Sequence, residues 1–178
     1  MLGNEGFVSS AEFPVPDPSR LDPLAEFGEE YIKGVTGDIG EILKVTGLSP
    51  KKLVLYSAPN WQWDVFRQAV ASAREGHLHM SGLMKAALDI PDIKPHAKEL
   101  AKFAQKIVAD IPKLSEEQLA KYGLPIDEHR MLAEAREFFG GEFGCQVQCF
   151  SAEDPARYDP NDKARQAVPL RPGIFIEG

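Results

Sequence analysis

The chain has 178 residues, 43% of them hydrophobic and 26% charged, so it is an ordinary soluble chain with material for one core plus an appendage. No apolar run approaches the roughly 18 residues of a membrane span, and the first five residues lack the basic start and apolar stretch of a signal peptide; a cytoplasmic chain without a membrane partner is expected. The net charge of -7 is uneven: residues 1–46 hold nine acidic and three basic residues, which leaves eighteen acidic and seventeen basic over 47–178, a near-neutral remainder that can still bind phosphate where its cations share a face.

In chain order, the first twenty residues, with Phe13-Pro14-Val15-Pro16-Asp17-Pro18, read as an irregular lead-in, because proline removes amide donors and biases its predecessor toward extended geometry. Over 22–46 the residues Leu24, Phe27, Tyr31, Val35, Ile39, Ile42 and Leu43 form a helical stripe despite Gly34, Gly37 and Gly40. One helix cannot bury that stripe alone, so it is expected to pack on the residues downstream or on a second copy of the chain. Gly47-Leu48-Ser49-Pro50 marks a boundary. It is followed by a strand over 52–57, a turn at Pro59-Asn60 and a helix to Glu75 that Gly76 ends.

A second helix carries the core stripe Met80, Leu83, Met84, Ala87 and Leu88, and a third runs over 95–111. Ser115-Glu116-Glu117-Gln118 has the form of a capping box, a helix over 127–139 precedes Gly140-Gly141, and a strand over 146–150 comes next. At the end, Asp159 as N-cap with Pro160 at the first helical position starts a two-turn helix continuing over 163–168, which Pro169 ends before a last short strand. The expected class is therefore α/β (α+β): about three short strands with several helices on one face, preceded by a long helix.

Several residues invite a chemical reading. Lys98, Lys102 and Lys106 recur at i, i+4 opposite an apolar stripe, a straight basic ridge whose spacing of about 6 Å matches consecutive phosphates. A solvated helix face explains the same row, so both readings stand. Lys163, Arg165 and Arg171 make a second basic cluster, a candidate polyanion contact or a solvated helix before an edge strand. Trp61 and Trp63 flank Gln62 at a helix start; both rings can be core, or Trp61 can face outward to stack an unpaired base. Cys145 and Cys149 on one strand face cannot bond to each other and are expected as free thiols. His77-Leu78-His79 lacks the partners of a metal site, His96 and His129 are isolated, and no Gly-rich phosphate loop or nucleophile elbow is present.

Two stretches carry a family resemblance. The strand Lys52–Ser57 running into Ala58-Pro59-Asn60-Trp61-Gln62-Trp63, and the run from Asp159 through Arg171-Pro172 to Ile176-Glu177, together resemble the C-terminal region of archaeal-type leucyl-tRNA synthetases. The resemblance covers most of the chain. It implies that residues 1–47 are the end of an anticodon-binding helix bundle and 48–178 a C-terminal tRNA-binding domain. It also implies that the parent enzyme uses ATP, magnesium and leucine in domains outside this chain, with no cofactor and no catalytic centre here. Leucine tRNA and the remaining synthetase domains are the implied partners, not DNA.

The resemblance implies that Ile176 and Glu177 meet bases at the tip of the long variable arm, the alternative being a terminal strand that only completes the sheet; Lys163, Arg165, Arg171, Lys98, Lys102 and Lys106, read from their own clustering, would then contact phosphates. Such a division of labour is physically sound, since phosphate contacts position an RNA and base contacts specify it. Two departures stand out: Gly178 follows Glu177, and Gly173 stands where Ala is more usual. The competing expectation is a self-contained interaction module that docks a protein partner through the helix at 22–46.

Overall fold

In the structure, a computed structural model that describes residues 22–178, the central strand β1 (Lys52–Ser57) lies between β2 (Gln146–Ser151), parallel to it, and β3 (Gly173–Glu177), antiparallel to it. The proline-rich lead-in expected over the first twenty residues lies outside the described residues. Continuous apolar sequence puts β1 in the middle, because both of its faces must be covered. Leu53 and Leu55 point to a large helical layer, while Val54 and Tyr56 pack with Phe175, Ala164 and Ala167 on the opposite side. The expected class, a small mixed sheet with helices against it, is what the chain adopts, although the second face is covered too, by the segment before β3.

The helices are α1 (Pro23–Thr46), α2 (Asn60–Arg74), α3 (Met80–Leu88), α4 (Ala97–Asp110), α5 (Glu116–Tyr122), α6 (Glu128–Glu134) and α7 (Arg136–Phe143). Local signals set most of their ends. Asp22 caps α1 by accepting from the Leu24 amide at 2.9 Å, with Pro23 in the first turn, and Gly47 closes it at φ 66°. Ser115 and Gln118 form the reciprocal capping box of α5 at 3.2 and 3.0 Å. His79 spends its ring on the start of α3, its Nδ1 accepting from the Gly82 amide at 3.2 Å.

Two expected helices change. The single helix over 127–139 is two: the chain breaks at Ala135, and α7 runs on through Gly140 and Gly141 to Phe143, ended by Gly144 at φ 63°. A Cβ on Gly140 would lie 3.4 Å from the Cys145 carbonyl oxygen, so a glycine there serves the close approach of the chain entering β2 rather than a helix stop. The basic two-turn helix over 163–168 is one 3-10 turn, Lys163–Gln166. Asp159 does cap it, accepting from the Lys163 and Ala164 amides at 2.7 and 3.0 Å, but Asp162 turns left-handed (φ 54°) in between. Downstream, Val168 and Arg171 close a two-bond bridge around Leu170 at φ 70°, which ends the helix early. Burial of Ala164 and Ala167 against the sheet outweighs the local helical preference.

The stripe of α1 packs downstream: Phe27, Tyr31, Val35 and Ile39 are buried in the same core as β1 and α2. Phe27 meets the edge of Tyr122 on α5, which in turn tilts against Phe66 on α2, at 6.4 and 6.0 Å between ring centres. A polar contact fixes the same helix. Glu128, at the start of α6, is 2% exposed and accepts from the Tyr31 hydroxyl at 2.8 Å, the Ala58 amide at 2.7 Å and the Trp63 indole N–H at 3.3 Å. Burial raises its carboxyl pKa, and the three donors only partly oppose that. Both cysteines are free; burial pushes the Cys149 thiol up to about 11.

Candidate nucleic-acid interface

The cations singled out in the sequence come from three separate elements, and the fold draws most of them together. Lys98, Lys102 and Lys106 are exposed along one side of α4, whose other side buries Leu100, Ala104 and Ile107. Lys163 and Arg165 come from the 3-10 turn, which the sheet face holds beside α4, and Arg171 from the bridge that leads into β3. Two adjoining grooves result, sharing Lys106 and Val168.

In the first groove, of about 470 Å³, Lys106, Lys163 and Arg171 meet Asp38 and Glu41 of α1. The second, of about 460 Å³, holds Lys102, Lys106, Arg157 and Arg165 with Glu99 and Glu153. Six cations against four carboxylates make this a positive surface on a chain whose net charge is -7. That contrast is what a phosphate-tracking groove requires, since attraction depends on charge within about 10 Å and not on the whole-chain sum. Lys98 stands one turn farther along the ridge and lines neither groove. Arg157 was missed in the sequence; its position two residues before the Asp159 cap was the available signal.

The residues expected to read bases lie elsewhere. Ile176 is paired with Leu53 and half-buried toward the helical layer, whereas Glu177, paired with Lys52, is exposed on the other face. Neighbours on a strand alternate faces, so the two side chains cannot both be laid on one side of a base. The Glu177 carboxylate accepts from the Tyr158 hydroxyl at 3.1 Å, a bond that holds the phenol above its ordinary pKa. The Lys52 ammonium sits 3.8 Å from the centre of the same ring. Arg171 and Glu177 are six residues apart along extended chain, about 20 Å at 3.3 Å per residue, so reader and cations occupy opposite ends of β3. Among the described residues the outer edge of β3 has no strand partner, which leaves backbone groups free along that length.

Trp61 requires a correction. It is 4% exposed, one face stacked on His96 at 5.0 Å and its edge toward Phe103, so it has no free face for a base. Trp63 is likewise core and hydrogen-bonded to Glu128. The Ala-Pro-x-Trp-x-Trp signature is therefore a socket for Glu128, a role invisible without knowing where residue 128 folds. The middle of the stripe at 22–46, Phe27, Tyr31, Val35 and Ile39, is spent inside the core, so a partner docking through that helix would meet its other side, where Leu24, Gly28 and Ile32 line a groove with Met131, Ala135 and Phe138. Among the described residues, no group of three His, Cys, Asp or Glu could hold a metal ion, and no helix is long and apolar enough to cross a membrane.

No protein-family model matches the chain. Curated relatives do. The chain is 44% identical over 171 residues, 96% of its length, to a leucine–tRNA ligase of Methanococcoides burtonii. It is 40% identical over 173 residues, 97% of its length, to that of Methanothrix thermoacetophila, and 37% identical over 177 residues, 99% of its length, to that of Pyrococcus abyssi. The matched region is 18%, 18% and 16% of those relatives, so the chain spans under a fifth of their length. By sequence, the chain belongs with the archaeal leucine–tRNA ligases, a family of aminoacyl-tRNA synthetases, as the counterpart of one segment of them.

Proposed function

We propose that this chain is the C-terminal tRNA-recognition part of a leucyl-tRNA synthetase and binds the long variable arm of leucine tRNA. In this reading residues 1–47 are the end of the anticodon-binding helix bundle and 48–178 the tRNA-binding domain. The observation that carries it is the convergence of Lys102, Lys106, Lys163, Arg165 and Arg171 on two adjoining grooves in an acidic chain. The similarity to leucine–tRNA ligases supports leucine tRNA as the partner.

The mechanism is positional. The basic grooves take the phosphates of the arm and set its register, and the open edge of β3, with Glu177 at its far end, meets the bases at the tip. Ile176 supports that edge from the helical side. No bond is made or broken by these residues. Their contribution to leucylation is orientation, because a tRNA body held in register places its 3′ end in distant sites of the parent enzyme.

Filter binding of the chain to leucine tRNA, to the same tRNA with its variable arm shortened, and to a tRNA without a long arm tests the proposal. Tight binding of the first alone is expected, and equal binding of all three overturns it. Deleting residues 176–178 is then expected to remove discrimination between arms while the cations retain affinity. Unchanged discrimination withdraws Glu177 and the open edge of β3 as the reader.

A further inference from the structure

The second basic groove has features that phosphate contact alone does not use. Gln62 Oε1 and Arg157 Nε are buried and have no hydrogen-bond partner in the protein. Asp159 comes no closer to Arg157 Nε than 3.6 Å, beyond hydrogen-bond length, and Arg157 Nη1 is already given to the Asp154 carbonyl at 3.1 Å. Buried polar atoms without partners are uncommon; these two, an acceptor and a donor on side chains that line one cleft, are closed to solvent here and would have to turn outward to meet a ligand edge that carries both. His96 lines the same cleft. One face of its imidazole rests on Trp61, with ring planes 11° apart, yet the side chain is 34% exposed. The outward aromatic surface that the sequence assigned to Trp61 thus belongs to the ring lying on it.

We infer that this cleft, between the start of α2, α4 and the segment before β3, receives one unpaired nucleotide of the RNA. Its base stacks on His96, its edge meets Gln62 and Arg157, and its phosphates meet Lys102, Lys106 and Arg165. The volume of about 460 Å³ suits a single nucleotide. A stacking ring, an edge-reading amide and flanking cations are the means by which proteins hold single-stranded RNA. Two carboxylates face the same space: Glu99 lies 3.4 Å from His96 Nδ1, and Glu153 accepts from the Asn60 amide at 3.1 Å. Arg165 is paired with Asp162 at 2.9 Å and Arg157 with Asp159 at 3.6 Å, so among the described residues Lys102 and Lys106 are the cations of the opening without a carboxylate partner. The inference rests on RNA being the partner, and it adds a nucleotide site that the reading of the arm does not contain.

The full chain is titrated with 5′-AMP, 5′-CMP and ribose 5-phosphate while the His96 imidazole and Gln62 side-chain amide signals are followed by NMR. Both signals are expected to move with the mononucleotides, saturating in the millimolar range, and not with ribose 5-phosphate. No movement, or equal movement with the sugar phosphate, overturns the base site. In leucine tRNA binding, His96→Ala is expected to cost about tenfold with an unaltered salt slope, because stacking releases no counterions, and His96→Phe is expected to restore affinity. Mononucleotide shifts combined with equal binding of long-arm and short-arm tRNA keep the cleft and remove the arm reading. Arm discrimination without those shifts and without a His96 effect removes the cleft alone.

Discussion

Residues 58–63 and 159–177, which lie in the two stretches where the sequence carries its family resemblance, are used in opposite directions. The first is turned inward: the Ala58 amide and the Trp63 indole both end on Glu128, which is 2% exposed, and Trp61 is covered by His96. The second keeps Ala164, Ala167, Pro169, Gly173 and Phe175 inside and leaves Arg165, Arg171 and Glu177 exposed. A signature rich in aromatic rings looks like a binding surface and is a hydrogen-bonded socket, whereas a modest basic run looks like solvated helix and stays exposed along two adjoining grooves. Burial, which spacing does not report, separates the two.

That contrast can be broken from the inside first. Glu128→Leu leaves three donors from α1, the β1–α2 turn and α2 without an acceptor, and is expected to cost about 3–5 kcal/mol in urea unfolding. A loss below about 1 kcal/mol shows that the socket is not what holds α1. On the outside, charge reversal at Lys102, Lys106 and Arg171 is expected to lower leucine tRNA affinity on the order of a hundredfold at low salt, flattening the salt slope by about 0.9 per lost phosphate contact. Its urea midpoint is expected to stay at the wild-type value.

The seam between the two regions is Gly173. A Cβ there would lie 2.5 Å from the Lys163 carbonyl oxygen and 3.2 Å from the Tyr56 ring, so Gly173→Val is expected to push the basic turn off the sheet and cost about 2 kcal/mol by thermal unfolding. The pH dependence sharpens the inner half. The folded pKa of Glu128 is raised, chiefly by burial, so its contribution is complete below the unfolded carboxyl pKa of about 4.3 and is lost as pH rises toward the folded value. Relative to Glu128→Gln, which does not titrate, the wild type is expected to lose stability as pH rises through that window. A constant difference between the two contradicts the buried-carboxyl account. The smallest effect belongs to α1, where a Cβ on Gly37 meets nothing within 4 Å: Gly37→Ala is expected to stabilise by about 1 kcal/mol without altering RNA binding.

Much of the fold was legible because its signals are local. Asp22, Gly47, the Ser115 box and Gly76 mark ends by their own backbone chemistry, and the stripe from Phe27 to Ile39 predicts its own burial. The errors came where distant residues decide. Gly140 reads as a stop but admits the chain entering β2, and 163–168 reads as helix until the Val168 and Arg171 bridge cuts it short. At the site, the row on α4 was visible from its spacing, while its meeting with Lys163 and Arg171 depends on packing across more than fifty residues. Gln62 carried no signal and Arg157 only its nearness to the Asp159 cap, since only three dimensions reveal an atom left without a partner.

The pairing of β1 has a consequence for how the molecule is assembled. Lys52 finds one neighbour at Gln146 and the other at Glu177, 94 and 125 residues downstream, so the middle of the sheet is made early and its flanks arrive late. Such non-local closure is slow. Until β3 arrives, Val54 and Tyr56 lack Phe175, and the turn bearing Lys163 and Arg165 has only part of its floor. On the proposed reading, competence to grip a polyanion comes with the last strand to dock, so a nascent or clipped polypeptide without any of that strand would compete poorly for tRNA.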